Sequence, residues 1–484
     1  MNLLSRLLLA PFAGAIAVGG FYPFELWFMP LLSLSMIIFL AEGKSFSERI
    51  AIFYLYGLGF LGPLLHWSST YVGSLPWVLL FAGFSAFYIV LALGFKGGRI
   101  HPLSFAAALT VAEGLRAVVP FGGFGWGRFG FSALEGPFQD WLRLGGVAMT
   151  TFMIALFASL MMRRNRSSLL ALPLVLVSTF AVSAAIASDE VAESDKTVRI
   201  ALIQGGVSQL GLSFNASPQE VFDRHFQVTE EILRNERVDL ILWPENASDI
   251  DPLTNSDLRE RIKSVTRASR TPMIIGAVTQ GERGPENVSL HFDGGDSFES
   301  RYQKRDLVPF GEYVPLRTIA EKFSPLAGTV RDFVPGDGIS VHDIGDLFFA
   351  PLICYEILDD RTTYENLEAS ALGVVQTNNA TFGRSWQSGQ QFQMTRVRAF
   401  ENQITFVVAA TTGDTALINR DGVATEKLTK FDPGALVVDV VPSKPTIPPV
   451  SPELMLLLAL MILPATRITN KKLSSVLPQK YMRR

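Results

Sequence analysis

The chain has 484 residues, of which 48% are hydrophobic and only 18% charged, with 42 basic against 45 acidic side chains. Soluble domains usually carry about 25% charged residues, so the composition excludes a disordered chain and a nucleic-acid binder that works by bulk positive charge. The single cysteine, Cys354, excludes an internal disulfide.

The charge is unevenly placed. Residues 1–187 hold 17 charged side chains, 11 of them basic, while the remaining 297 residues hold 70. The first part has the composition of membrane protein, and most of the second that of a water-soluble domain. Uncharged windows run over 7–24, 26–41, 50–95, 144–162 and 167–188. A spanning helix needs about 20 mostly apolar residues, so window 50–95 divides into two spans around the polar turn His66-Trp67-Ser68-Ser69-Thr70 and Gly73-Ser74-Leu75-Pro76. A further span fits 102–120, where Glu113 and Arg116, three apart, can face each other. That predicts seven spans before residue 188 and an eighth over 450–466. Arg6, Lys44, Arg49, Lys96, Arg99, Arg163, Arg164, Arg166 and the basic tail after 466 all fall on one side of such a bundle. The positive-inside rule makes that side cytoplasmic and puts 188–449 outside the inner membrane. The run after Arg6 reads as an uncleaved first helix, since further spans follow at once.

The external segment alternates strands with helices. Strands are predicted over 198–203, 238–243, 273–278, 346–353, 374–377 and 405–410, and helices over 217–237, 255–270, 361–372 and 387–402. With no tight hairpin signal, this pattern predicts an α/β domain. The Pro-rich stretch 442–452 ends it.

Three motifs at strand ends carry candidate chemistry. In Trp243-Pro244-Glu245-Asn246 a carboxylate directly follows an apolar strand, at the sheet edge where open α/β sheets bind ligands. The segment Tyr302–Pro315 places Lys304 in a loop too apolar for an ordinary surface connection, where a lysine can stabilise an oxyanion. In Cys354-Tyr355-Glu356 the only thiol ends another apolar strand. A nucleophilic cysteine must become thiolate and needs a base and a nearby cation; Glu245 and Lys304 are the candidates. Taken singly, each motif has a structural reading: a turn acid, a solvated lysine, a small buried hydrophobe. No His/Cys pair has metal-ligand spacing, so no metal site is expected. Gly125-Trp126-Gly127-Arg128-Phe129-Gly130 matches G-x-G-x-x-G but lacks a preceding strand, so it reads as an interfacial loop and not as a dinucleotide site.

The order of these three motifs behind a bundle of spans resembles the apolipoprotein N-acyltransferases, bacterial membrane enzymes with an external nitrilase-like (carbon–nitrogen hydrolase) domain. The Leu307-Val308-Pro309-Phe310-Gly311-Glu312-Tyr313-Val314-Pro315 segment is the most specific part, and the resemblance extends to Tyr22-Pro23-Phe24 before Trp27 and to Glu113-Gly114-Leu115-Arg116. It implies an αββα sandwich joined to eight membrane helices, divided as 1–187, 188–449 and 450–484. It also implies Glu245 as general base, Lys304 as oxyanion stabiliser and Cys354 as nucleophile, supported by Glu312, Tyr355 and Glu356. Phe310, Tyr313, Phe382 and Phe214 are the implied substrate contacts. The implied reaction moves an acyl chain from a phospholipid to the N-terminal diacylglyceryl-cysteine of an apolipoprotein through a thioester, with no cofactor and with membrane lipid as partner. Two features depart from the family: Thr381 stands where an aromatic is usual, and a loop tryptophan is missing from 204–215. A tethered amidase acting on a small C–N substrate and a non-catalytic lipid-binding paralogue are the alternative readings.

Overall fold

The computed structural model of the chain describes residues 1–70, 73–163, 165–186, 196–211, 218–295, 297–323, 328–345 and 347–476. The chain separates into two compact units: Met1–His66, Ser74–Ser188 and Pro448–Arg484 form one, and Trp67–Gly73 with Asp189–Ile447 form the other.

The first unit is helical: α1 (Leu3–Ala17), α2 (Met29–Ala41), α3 (Phe46–Leu64), α4 (Ser74–Ser85), α5 (Pro102–Val118), α6 (Trp141–Met162), α7 (Arg166–Ile186) and a last helix, Pro452–Val476. A 3₁₀ segment, Ala86–Gly94, continues α4, and a short hairpin of β1 (Phe95–Lys96) and β2 (Arg99–Ile100) follows. Among the described residues three helical stretches are long and apolar enough to cross a membrane by themselves: Leu3–Gly20, Ser74–Gly94 and Trp141–Met162. The predicted division of window 50–95 is present, with His66–Ser69 as a 3₁₀ turn between α3 and α4. Without a hydrophobic force between apolar helices, close approach at small residues takes over. A Cβ on Gly59 would lie 1.9 Å from the Pro11 carbonyl oxygen, and one on Gly14 would lie 2.1 Å from that of Tyr56.

Glu113 and Arg116 turn to the loop after α5, not simply to each other. Glu113 accepts from the Phe129 amide at 3.0 Å and from Thr151 Oγ1 at 2.8 Å. Arg116 donates to the Phe124 and Trp126 carbonyls at 2.8 and 2.6 Å. These bonds fix the G-x-G-x-x-G stretch as a loop after a helix, as expected.

The second unit begins β3 (Val198–Gln204), α8 (Pro218–Asn235), β4 (Leu240–Leu242), α9 (Ser256–Ser269), β5 (Met273–Gln280), β6 (Pro285–Phe292) and β7 (Phe298–Gln303). After α10 (Arg317–Phe323) come β8 (His342–Ile344), β9 (Leu347–Phe349), β10 (Leu352–Ile353), α11 (Asp360–Glu368), β11 (Gly373–Thr377) and α12 (Gln387–Asn402). The unit closes with β12 (Phe406–Ala410), β13 (Ala416–Ile418), β14 (Ala424–Lys427) and β15 (Gly434–Val440). One sheet has the order β15-β3-β4-β5-β6-β7 and the other β10-β11-β12-β13-β14. The central neighbours β3-β4-β5 and β10-β11-β12 are parallel.

The parallel strands are buried on both faces, so they read as continuous apolar runs. Alternate residues explain the layers. Ile200, Leu202, Leu240, Leu242 and Ile274 share a core with Leu372, Val374, Val407 and Ala409 of the second sheet. Ala201, Ile203, Ile241, Trp243, Met273 and Ile275 pack with Phe222, Phe226, Leu258 and Ile262 of α8 and α9. Two sheets thus meet face to face, with helices outside.

Two expectations need correction. The single strand over 346–353 is two: β9 pairs with β8, whereas β10 joins the second sheet. Pro351 between them cannot donate to a ladder, and Asp346 lies outside the described residues. Tight hairpins are also present. β8 and β9 turn through Gly345 at φ +70°, and β5-β6-β7 and β12-β13-β14 run antiparallel.

Candidate active site

Glu245 and Cys354 leave the C-terminal ends of the parallel strands β4 and β10, and Lys304 follows the antiparallel edge strand β7. β4 delivers Glu245, 4% exposed, two residues beyond Trp243. Gly276 of β5 makes room for it: a Cβ there would lie 2.1 Å from the Pro244 carbonyl oxygen and 2.7 Å from Glu245 Cα. Lys304, 1% exposed, follows β7 and is held by its own backbone, its amide donating to the Asn287 carbonyl and its carbonyl accepting from Gly336, both at 2.9 Å.

Cys354 ends β10 at φ +52°, a conformation unusual for a residue with a Cβ, and a 3₁₀ turn, Cys354–Leu358, follows. Glu356 enforces this elbow. It is fully buried and accepts from the amides of Ile353 at 2.7 Å and Arg305 at 2.6 Å and from the Tyr302 hydroxyl at 2.9 Å. One carboxylate therefore ties the nucleophile candidate's turn to the lysine loop. Burial pushes Glu356 up to about 7. Tyr355 is half-buried beside it.

Lys304 Nζ donates to Glu245 Oε1 at 3.1 Å and to Glu312 Oε1 at 2.9 Å. Asn287 Nδ2 donates to the same two oxygens, both at 2.8 Å. Glu245 Oε2 accepts from the Asn378 amide at 2.8 Å, and Glu312 Oε2 from the Val308 amide at 2.8 Å. Burial works against a charged lysine, but Glu245, Glu312 and Cys354 outweigh it and hold Lys304 well above the ordinary lysine range. Burial, and secondarily Glu245, push the Cys354 thiol up to about 12, while Lys304 and a hydrogen bond with Thr377 pull the other way. The resting sulfur is a buried thiol in the field of an acid–lysine–acid cluster.

Asn287 had no signal in the sequence, because its strand mixes polar and apolar residues without strict alternation. Gln391 of α12 was also missed. It donates to the Cys354 carbonyl and to Thr377 Oγ1, both at 3.1 Å, and accepts from Asn379 Nδ2 at 2.9 Å. Phe310 is 56% exposed at φ +64° in the loop that Glu312 closes, and Tyr313 lies half-buried in that loop. Phe382 packs edge-on against Trp67 with centroids 5.1 Å apart, and Trp67 Nε1 donates to Gln390 Oε1 at 3.1 Å. Phe214 lies outside the described residues. Among the described residues no group of three or more metal-ligating side chains is present.

The model of the carbon–nitrogen hydrolase family matches residues 199–444, the segment that forms this two-sheet sandwich. The apolipoprotein N-acyltransferase N-terminal domain matches residues 13–160. The chain is 30% identical over 474 residues to an apolipoprotein N-acyltransferase of Mycolicibacterium smegmatis, covering 88% of this chain and 79% of that one. It is 27% identical to one of Vibrio vulnificus, covering 91% and 92%. Among solved structures it is similar to an amidase from Nesterenkonia sp., 21% identical with a TM-score of 0.39, covering 54% of this chain and 95% of that one. The chain belongs to the apolipoprotein N-acyltransferase family.

Proposed function

We propose that the protein transfers an acyl chain from a phospholipid to the α-amino group of a diacylated apolipoprotein through a thioester on Cys354, completing lipoprotein maturation. The observation that carries this is the one buried cluster in which Glu245, Glu312 and Lys304 exchange hydrogen bonds in the field of the only thiol.

The hydrogen bonds divide the roles. Glu245 Oε1 is occupied by Lys304 and Asn287, whereas Oε2 takes, among the described residues, the Asn378 amide, so Oε2 has an acceptor position for the thiol proton. Lys304 donates to two carboxylates, and a lysine ammonium then has one N–H left for an oxyanion. In the first step Glu245 takes the Cys354 proton and sulfur attacks the ester carbonyl. Lys304 holds the oxyanion, the C–O bond breaks, and the proton passes from Glu245 to the lysophospholipid oxygen. In the second step the neutral amine attacks the thioester, Glu245 takes its proton, the C–S bond breaks, and Glu245 returns a proton to sulfur. Glu312 keeps Lys304 charged and in place. The apolar loop over 307–315, with Phe310, Tyr313 and Phe382, excludes the water that would otherwise hydrolyse the thioester.

The helical unit holds the domain at the bilayer, where both fatty substrates reside. Eight spans are assigned: the three long apolar stretches, four further helices before residue 188, and Pro452–Val476. The basic connections face the cytoplasm of a bacterial inner membrane, and the catalytic domain, 188–449, lies outside it.

Incubation with radiolabelled phospholipid followed by intact-mass measurement tests the reading. A fatty-acyl increment on the Cys354 peptide, removed by hydroxylamine and absent from Cys354→Ala and Glu245→Ala, is expected. Triacylated product formed at the normal rate by Cys354→Ala would refute it, and turnover of small amides without lipid labelling would favour a tethered amidase.

A further inference from the structure

Thr377 is the last residue of β11 and lies beside the nucleophile candidate. In the parallel pair, Ile353 stands opposite Gln376, so Cys354 and Thr377, one residue on, leave the sheet together. Side chains alternate across a strand. Gln376 turns towards β4, donating from Nε2 to the Trp243 carbonyl at 2.7 Å, and Thr377 turns the other way, to Gln391 of α12. Thr377 is buried, and its side chain hydrogen-bonds that of Cys354. Each of these side chains has one polar atom, so the bond joins Oγ1 to Sγ. In the steps described above this hydroxyl takes no part.

The direction of that bond follows from Gln391. A backbone carbonyl only accepts, so the Cys354 carbonyl, 3.1 Å away, fixes the Gln391 amide with Nε2 towards the elbow. The same Nε2 donates to Thr377 Oγ1 at 3.1 Å. On the other side, Gln391 Oε1 accepts from Asn379 Nδ2 at 2.9 Å and from Gln387 Nε2 at 3.0 Å, which fills both of its lone pairs. It lies 3.5 Å from Thr377 Oγ1, at the limit of a hydrogen bond. Thr377 Oγ1 therefore accepts from Gln391 and has its own proton to give, and sulfur is the atom that receives it.

Sulfur becomes charged twice in the two-step transfer, once when Glu245 takes its proton and again when the C–S bond breaks. Burial opposes that charge and pushes the thiol up to about 12. Among the described residues, the charged groups that act on it are Glu245, beyond β4, and Lys304 and Glu312, beyond β7. Two of these are acids and oppose a thiolate, and Lys304 donates to both of them. In the turn after the sulfur, Glu356 is tied to the Ile353 and Arg305 amides, and α12 turns Arg398 to the Ile357 carbonyl. A neutral hydroxyl favours the thiolate by hydrogen bonding without adding a charge to this cluster.

We infer that Thr377 is a further catalytic residue whose hydroxyl donates to the Cys354 thiolate at both steps, with Gln391 as the positioning residue that aims it. The inference rests on the reading of Cys354 as the acylated nucleophile. Thr377 keeps its own proton throughout. The thiol proton passes to Glu245 and returns from it. In the thioester the sulfur is a weak acceptor, so the bond slackens there and forms again as sulfur leaves.

The test uses the full-length enzyme and two readouts on its only thiol. The first is the rate of alkylation by iodoacetamide against pH, read by intact mass; below the thiol's midpoint this rate rises with the thiolate fraction. The second is the rate of Cys354 acylation by phospholipid. Thr377→Val removes the hydroxyl and keeps the shape. It moves the rising limb of the alkylation profile to higher pH by about one pH unit and slows acylation about tenfold. Thr377→Ala, which cannot crowd the strand end, does the same. Thr377→Ser keeps the hydroxyl and brings the limb back to within about 0.3 pH units of wild type. Slower acylation with an unmoved limb in the valine and alanine variants overturns the proposal, because packing alone would give it. A serine variant displaced as far as the valine one overturns it too. Wild-type enzyme that takes no acyl chain from phospholipid onto Cys354 sinks the nucleophile reading and this inference with it, whereas an acylated Cys354 with unmoved limbs sinks the part of Thr377 alone.

Discussion

Asn287 is the side chain on which the cluster's geometry turns. Two carboxylates share one lysine, and Asn287 Nδ2 donates to the same oxygen of each. It thereby spreads the charge of Glu245 and Glu312 over two donors and keeps them facing Lys304. Removing it leaves Lys304 as the one side chain that bridges both acids, each of which keeps a single backbone amide, from Asn378 or Val308. Asn287→Ala is expected to slow Cys354 acylation about tenfold with the fold retained. Asn287→Asp should slow it further, because a third carboxylate would compete for the single Lys304 charge. Stopped-time intact-mass measurements on both variants give the rates, and equal rates for Asn287→Asp and wild type would contradict the arrangement.

At the scale of elements, close backbone approach does the positioning. β5 can lie against the Pro244–Glu245 turn only because Gly276 has no side chain. Gly276→Ala forces that turn to move on the order of 1 Å, and such a misplacement can cost about a hundredfold in rate. The expected outcome is a folded protein whose acylation rate drops by that order, read by mass as before; a near-normal rate would mean that β5 does not set Glu245. In the helical unit the same device joins α1 to α3. Gly59→Val places methyl groups against the Pro11 carbonyl and should lower stability by about 1–3 kcal/mol, visible as a lower unfolding midpoint in detergent.

Over the whole molecule, buried titratable groups of opposite sense set the response to pH. His225 and His342 are buried neutral, and burial pulls them down to about 4 and about 3 from 6.5. Below 6.5 the unfolded chain takes up their protons and the folded one does not, so stability is lost as pH falls towards those values. Glu356 and Asp249 behave oppositely. Burial raises both to about 7, from 4.5 and 3.8, so the folded state binds protons first and gains stability as pH falls from 7 to 4.5. The two effects offset each other between pH 7 and 4.5; below 3.8, where the gains of Glu356 and Asp249 are both complete, His342 alone of the four goes on losing. The apparent unfolding midpoint should change little across the first interval and fall at pH below about 4. His342→Gln, which can keep the bonds to Ser289 and Ser300, should lessen the fall; an unaltered profile would remove His342 from the account.

Local composition by itself determined the division into an apolar and a charged segment, the turn that interrupts 50–95, the parallel core strands and the three motifs that hold Glu245, Lys304 and Cys354. Glu245 and Cys354 are legible because a strand buried on both faces must be apolar throughout and a side chain just beyond it reaches the sheet edge, whereas Lys304 is legible from the apolar loop that follows it. Only the tertiary structure decided the antiparallel flanks, where polar strands such as β6 and β14 lack that signature, and the break of 346–353 between two partners. It also decided the partners of Glu113 and Arg116, the place of Trp67 against Phe382, and the meeting of Asn287 and Gln391 with groups far away in sequence. Those meetings depend on strand register and on which turns face one edge, and neither property resides in any short stretch of residues.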